Sequence, residues 1–205
     1  MSLVDGQLQV LLARRAQAPY SGKWALPGGV LRIDLDAGLE DAARRVMRER
    51  LGAELPYLRQ LCAVGGPSRD PRAPWAISIV FRALVPLDGI QTTPGKRIEA
   101  LRWFAVDDLP DRAEIAFDHR GLILDAVRDT REAIEALQLP TEFLPPDFTL
   151  GELQTTCEKL LGRKLDKSSF RRRLREAEVL ELVEGKMRTG PFRPAQLYRM
   201  RMLYS

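Results

Sequence analysis

The stretch Trp24-Ala25-Leu26-Pro27-Gly28-Gly29, followed by Leu39-Glu40-Asp41-Ala42-Ala43-Arg44-Arg45-Val46-Met47-Arg48-Glu49-Arg50-Leu51-Gly52, decides how the first part of the chain folds. Leu39, Ala43, Val46, Met47 and Leu51 recur at helical spacing, so Leu39 to Leu51 reads as an amphipathic helix entered from a glycine-bearing loop. Gln7 to Ala13 is a strand candidate, Ala76 to Val85 a long β-rich run, and Ala100 to Ala105 a further strand ending in the turn Val106-Asp107-Asp108-Leu109-Pro110. A helix from about Gly121 to Leu137, with Leu122, Ile123, Ala126, Ile134 and Leu137 as its apolar set, closes a mixed α/β domain.

Pro140 and the pair Pro145-Pro146 break helix and strand alike, which predicts a first domain over 1–140, a linker over 141–147 and a second domain over 148–205. In the second domain Thr149 can cap a helix with Glu152 as reciprocal partner, and Leu150, Leu153, Leu160 and Leu161 supply its buried side. After Gly162-Arg163-Lys164-Leu165, Asp166 can cap a second helix whose core side is Phe170, Leu174 and Ala177. At 100° per residue, Ser168, Arg172 and Arg175 then point away from that core, flanked by Ser169 and Arg171. Two β-rich runs, Leu180 to Val183 and Gln196 to Met200, flank a basic, glycine-bearing segment containing Lys186, Arg188 and Arg193. A helix–turn–helix followed by such a hairpin is a winged helix, a shape that sets one helix in a major groove and a wing on the phosphates.

With 205 residues, 45% hydrophobic and 29% charged, the composition is that of a globular protein with one ordinary and one small domain. The apolar runs fall short of a membrane span and the N-terminus has no signal-peptide pattern, so the expected compartment is the cytoplasm. Cys62 and Cys157 lie in different domains without metal-ligand neighbours and read as reduced core residues. Charge is unevenly placed: residues 1–140 carry 19 basic and 19 acidic side chains, residues 141–205 carry 13 and 9, so the net +4 sits in the last third. The densest basic stretch, Arg163 to Arg175, is opposed by Asp166 alone and fits either a nucleic-acid footprint or a solvated helix face.

The first quoted stretch resembles a Nudix box, G-x5-E-x7-R-E-U-x-E-E-x-G-U with U aliphatic, in which part of the metal chemistry has been replaced. Anchored on Gly52, the chain keeps Arg45, Met47 and Glu49, but Val46 and Arg50 stand where two helix glutamates belong and Ala37 where the loop glutamate belongs. Gly29 to Gly52 spans 23 positions, two more than the signature. Asp34, Asp36, Glu40 or Asp41 could shift in, but none restores the carboxylate cluster that surrounds one octahedral Mg²⁺. The expectation is therefore no metal, no cofactor, no catalytic residue, and little or no diphosphate hydrolysis. Arg50 reads either as a fork that holds phosphate oxygens or as a solvated helix residue. Arg69 and Arg72 of Arg69-Asp70-Pro71-Arg72 offer two cations to an anionic ligand, or form an ordinary salt-bridge loop. Glu49 completes the expected ligand-binding set; His119, the only histidine, reads as structural and Trp24 as a packed aromatic.

Over nearly its whole length the chain is similar to the Nudix-related transcriptional regulators, bacterial repressors of NAD metabolism and sugar utilisation that join a Nudix-like sensor to a C-terminal winged helix. The matching pieces run in order: Lys23 to Gly29, Arg69-Asp70-Pro71-Arg72, Trp103-Phe104, Ala116-Phe117-Asp118-His119, Phe148-Thr149-Leu150, Leu165-Asp166-Lys167 with Phe170-Arg171-Arg172, and Arg193 to Arg199. The resemblance implies a Nudix-like α/β/α sandwich with a mixed sheet, then a small winged helix. It further implies a homodimer that binds palindromic operator DNA and responds to a phosphorylated metabolite, often ADP-ribose. Lys167, Ser168, Ser169, Arg171, Arg172, Arg175, Lys186, Arg188 and Arg193 are the expected DNA contacts. Two departures stand out: the chain begins almost directly at the Gln7 strand, where the family has an earlier one paired with it, and Ser168-Ser169 replace a larger polar residue. The competing readings are an active Nudix hydrolase of ADP-ribose or a related nucleoside diphosphate, and a silent nucleotide-binding module whose second domain binds protein.

Overall fold

Strand β2 (Gln7–Arg15) is the spine of the first unit. Its consecutive Val10, Leu11, Leu12 and Ala13 are all buried, which an alternating strand permits only if both faces of its sheet are covered. The computed structural model describes residues 1–55, 57–67, 69–189 and 194–201. Along one edge of β2 run β1 (Ser2–Val4) and β3 (Trp24–Ala25), and along the other β6 (Ile98–Ala105), all antiparallel. A parallel bridge between Trp24 and Ile115 makes the sheet mixed. An earlier strand paired with β2 is thus present: β1 pairs Ser2 with Gln9 and Val4 with Gln7, and at three residues it is too short for a periodicity signal. Strands β4 (Arg59–Pro67) and β5 (Trp75–Arg82) form a separate two-stranded sheet that carries the Arg69–Arg72 loop.

Helix α1 (Leu39–Leu51) has the bounds its apolar spacing predicts, but only Val46 and Leu51 are buried, and Leu39 is exposed. Leu51 packs with Leu11 and Ala53, joined by Met47, Leu101 and Trp103. The carbonyls left unpaired at its C-terminus are satisfied from outside the helix: Thr93, Gly95 and Lys96 donate to Leu51, Arg50 and Glu49 at 2.8, 2.9 and 3.1 Å. A side chain at Gly95 would meet the Glu49 carbonyl at 2.1 Å, so only glycine lets this segment cap α1. Helix α2 (His119–Glu135) buries Leu122, Ile123, Val127 and Ile134 together with Thr130; Leu137, expected on its apolar side, lies beyond its end with φ +61°.

The chain divides into two compact units within α2, after Arg128, whereas the prolines mark 141–147. In the second unit α3 (Leu150–Leu161) begins with the predicted capping box, Glu152 N–H donating to Thr149 Oγ1 at 3.1 Å and Thr149 N–H to Glu152 Oε2 at 2.7 Å. Helix α4 (Lys167–Glu176) is capped by Asp166, which accepts from Ser169 N–H at 2.8 Å. Phe148, Leu153, Cys157, Leu160, Phe170, Leu174, Val183 and Leu197 form the core; Ala177, expected among them, is the exposed C-cap of α4. Strands β7 (Leu180–Arg188) and β8 (Ala195–Met200) pair antiparallel, and Phe148 adds a bridge to Tyr198. Cys157 is buried and Cys62 half-buried, both as free thiols. Among the described residues no helix is long and apolar enough to cross a membrane. Thr149→Ala should lower stability by about 1 kcal/mol, read as a shift of the urea midpoint without a change in slope.

Candidate functional site

A cavity of about 420 Å³ opens in the first unit where the end of β2, the Leu26–Val30 loop, the last turn of α1 and the loop after β4 converge. Six arginines line it (Arg14, Arg15, Arg50, Arg69, Arg72 and Arg97), against one carboxylate, Asp70. Of the expected ligand residues, Arg50, Arg69 and Arg72 meet here, although 22 positions separate Arg50 from Arg72. Glu49 is not among the lining residues; its carboxylate accepts from Arg45 at 3.3 Å.

Arg69 is fully engaged. Its fork donates to Asp118 at 2.7 and 2.9 Å, and Nη1 reaches the Val64 carbonyl and Ser78 Oγ. It fastens the β4–β5 loop to the start of α2 and positions the cavity wall. Arg72 is held by Asp70 at 2.8 and 2.5 Å, and this hydrogen bonding keeps the Asp70 carboxyl at about 2. Arg50 donates Nε to the Gly28 carbonyl at 3.2 Å and an Nη to the Lys96 carbonyl, fixing the glycine loop against α1. Burial, then the neighbouring charges of Arg72 and Arg50, lower the Arg15 pKa; burial, then Arg97, lower that of Arg50.

The Mg²⁺ of Nudix enzymes does not fit these residues. Val46 fills its signature position with hydrocarbon pressed on the loop, since a Cβ at Gly29 would come within 2.6 Å of Val46 Cγ2. Asp36, the nearest replacement for the loop glutamate, is sequestered: its side chain is 1% exposed and accepts the Arg45 fork at 2.7 and 2.8 Å, which holds it at about 2. The box has kept its arginine as a structural clamp, with Arg45 also donating to the Val30 carbonyl. Among the described residues no group of three or more His, Cys, Asp or Glu is placed to hold a metal ion.

His119 takes a role that its isolation in sequence hides. Its Nδ1 accepts the Leu26 N–H at 3.0 Å, so the neutral imidazole pins the glycine loop, and burial pushes its pKa down to about 4. The unfolded chain binds this proton near 6.5, so the contribution is complete above that pH and is lost as pH falls from 6.5 through 4. His119→Gln should flatten that acid limb in thermal melts across pH. Trp24 packs edge-on against Phe104 at 4.9 Å, as expected of a structural aromatic.

In the second unit, α4 exposes Lys167, Ser168, Ser169, Arg172 and Arg175 opposite Phe170 and Leu174. Arg171 is half-buried, with its Nε enclosed and unpartnered. The hairpin cations are tethered: Lys186 pairs with Asp147 at 3.5 Å, and Arg188 reaches Glu152 at 3.4 Å and the Asp147 carbonyl at 3.1 Å. Arg199 also pairs with Asp147, at 3.1 Å. Arg193 lies outside the described residues.

Residues 1–126 match the NUDIX domain family and residues 140–200 the NrtR DNA-binding winged helix domain. Over 198 residues, 97% of this chain and 78% of the relative, the sequence is 36% identical to the ADPR responsive transcriptional repressor NtrR of Acinetobacter baylyi. The crystal structure of Shewanella oneidensis NrtR complexed with a 27mer DNA is 35% identical with TM-score 0.75, over 98% of this chain and 90% of that one. The NUDIX domain of the same protein complexed with ADP ribose is 34% identical with TM-score 0.56, over 62% of this chain and 81% of that one. A degenerate Nudix unit followed by a winged helix defines a class of sensor–regulator. The chain belongs to the Nudix-related transcriptional regulator family, of the NrtR type.

Proposed function

We propose that the protein is a ligand-responsive transcriptional repressor, acting in the cytoplasm as a homodimer on operator DNA, whose Nudix-like unit senses a phosphorylated metabolite with ADP-ribose as the first candidate. The carrying observation is the arginine-lined cavity in a unit whose metal positions are filled by Val46 and Arg50. Such a site has charge for a phosphorylated ligand without the carboxylates for cleaving it. Arg50 and Arg72 face the ligand, and Arg69 holds the wall. Ser168, Arg172 and Arg175 read bases, with Lys167, Ser169, Arg171, Lys186, Arg188 and Arg193 on or near the backbone. A dimer sets two recognition helices about one helical turn, roughly 34 Å, apart and roughly doubles the phosphate contacts.

A ligand can regulate only through different affinities for the DNA-competent and DNA-incompetent states; a tenfold difference per site is about 1.4 kcal/mol. The test is a mobility shift on the protein's own promoter region, with and without ADP-ribose. Promoter binding in preference to random DNA, changed tenfold or more by the ligand, is expected. No preference removes the repressor reading, and unchanged affinity removes the sensor.

A further inference from the structure

The six cavity arginines are not equivalent. Arg69 is neutralised by Asp118, Arg72 by Asp70, and Arg14 pairs with Glu99 at 3.6 Å. Arg15, Arg50 and Arg97 have no carboxylate within salt-bridge distance among the described residues. Arg15 donates its Nε to the Pro19 carbonyl at 2.7 Å and lies over the Phe117 ring, 5.0 Å from its centroid, which fixes its direction and leaves both terminal nitrogens without a hydrogen bond among the described residues. Arg50 is braced on two carbonyls, with one terminal nitrogen left. Arg97 has no side-chain hydrogen bond among the described residues, and its backbone is held at φ +63°, a conformation non-glycine residues rarely adopt, while its carbonyl accepts Ala16 N–H at 3.1 Å.

Arg15 and Arg50 are half-buried and Arg97 is exposed on the cavity wall; the charge of Arg50 acts on Arg15 and that of Arg97 on Arg50, Asp70 and Glu49 offset this only in part, and the cluster is unfavourable for the empty fold. It becomes favourable when a ligand brings at least two negative charges among the three. The three come from β2, α1 and the segment before β6, so three separate segments bring them to the cavity that Gly28 and Gly29 also line. Resting on the reading of this unit as a phosphorylated-metabolite sensor, we propose that Arg15, Arg50 and Arg97 form a metal-independent seat for a diphosphate group, replacing with fixed guanidiniums the divalent cation that Val46 and Arg50 exclude. Arg15 and Arg97 are the added ligand contacts. Asp70, the one carboxylate of the lining, is held by the Arg72 fork at 2.8 and 2.5 Å, which limits its repulsion of the seated ligand.

The test is calorimetry in excess chelator with two probes, ADP-ribose and inorganic pyrophosphate, on wild type, Arg15→Gln, Arg97→Gln, Arg97→Lys and Arg14→Gln, each checked by thermal melting. Wild type should bind both probes without divalent metal. Arg15→Gln and Arg97→Gln should each weaken binding about 10- to 100-fold and reduce its salt dependence, a readout that a packing role would not move. Arg97→Lys, which keeps charge without the fork, should fall between, and Arg14→Gln should change binding least. ADP-ribose binding that requires Mg²⁺, or that survives Arg15→Gln and Arg97→Gln unchanged in folded protein, overturns the seat while leaving the repressor reading intact. If neither probe binds wild type under any condition, the seat and the phosphorylated-ligand reading fall together.

Discussion

Wild-type protein incubated with ADP-ribose and Mg²⁺ or Mn²⁺ should release no AMP above background. Two of the three helix carboxylates are Val46 and Arg50, and the two nearest acids, Glu49 and Asp36, are both bound to Arg45. Nucleophile activation and charge neutralisation by a metal are each worth several kcal/mol, and the loss of about 5 kcal/mol alone is between three and four orders of magnitude in rate. Restoring the signature by V46E with R50E should not recover an enzyme, because the space beside Val46 is taken by the Gly29 backbone and a buried carboxylate there would have no partner. Those changes should lower the melting temperature instead. Chromatographic detection of AMP at about 1 s⁻¹ or faster from the wild type would reinstate the hydrolase reading.

The fold was legible where the signal is local. Gly52, with its left-handed φ, stops α1 where the apolar spacing ends, and Thr149 with Glu152 announces α3 within four residues of sequence. Strand β1 escaped because three residues carry no period; it is defined by hydrogen bonds to β2 alone. The cavity was half legible. Val46 and Arg50 are visible as departures from a spaced pattern, but Arg15 and Arg97 lie in no pattern and meet only when β2 and the segment before β6 are folded together. The Asp36–Arg45 clamp and the contact between His119 and Leu26, 93 residues apart, are likewise products of tertiary structure. Arg69 shows the reverse case: its type and position suit an anion or a salt bridge, and only the folded chain reveals that Asp118 occupies its fork while Arg69 still lines the cavity.

On α4, Arg172 and Arg175 should dominate operator recognition. Both are exposed opposite the buried Phe170 and Leu174; Arg175 has no side-chain partner among the described residues, and Arg172 has only Glu176 at a loose 3.9 Å. Such guanidiniums are free to take bidentate positions on guanine edges, worth about 1–3 kcal/mol of discrimination each. Arg172→Ala should therefore cost about 10- to 100-fold for the operator with a smaller loss on random DNA, and the pair with Arg175→Ala more. Lys186→Ala and Arg188→Ala should act differently. These side chains begin paired with Asp147 and Glu152, and exposed pairs of this kind hold them by at most about 1 kcal/mol, so they can turn to phosphates at little cost. Their loss should weaken operator and random DNA alike and flatten the salt dependence. Glu176→Gln provides the opposite sign, since removing the acid beside Arg172 should tighten binding to both. Titration of each variant on operator and random duplexes at several salt concentrations separates these outcomes. An Arg172→Ala protein that binds its promoter as tightly and selectively as wild type would show that α4 is not the reading helix.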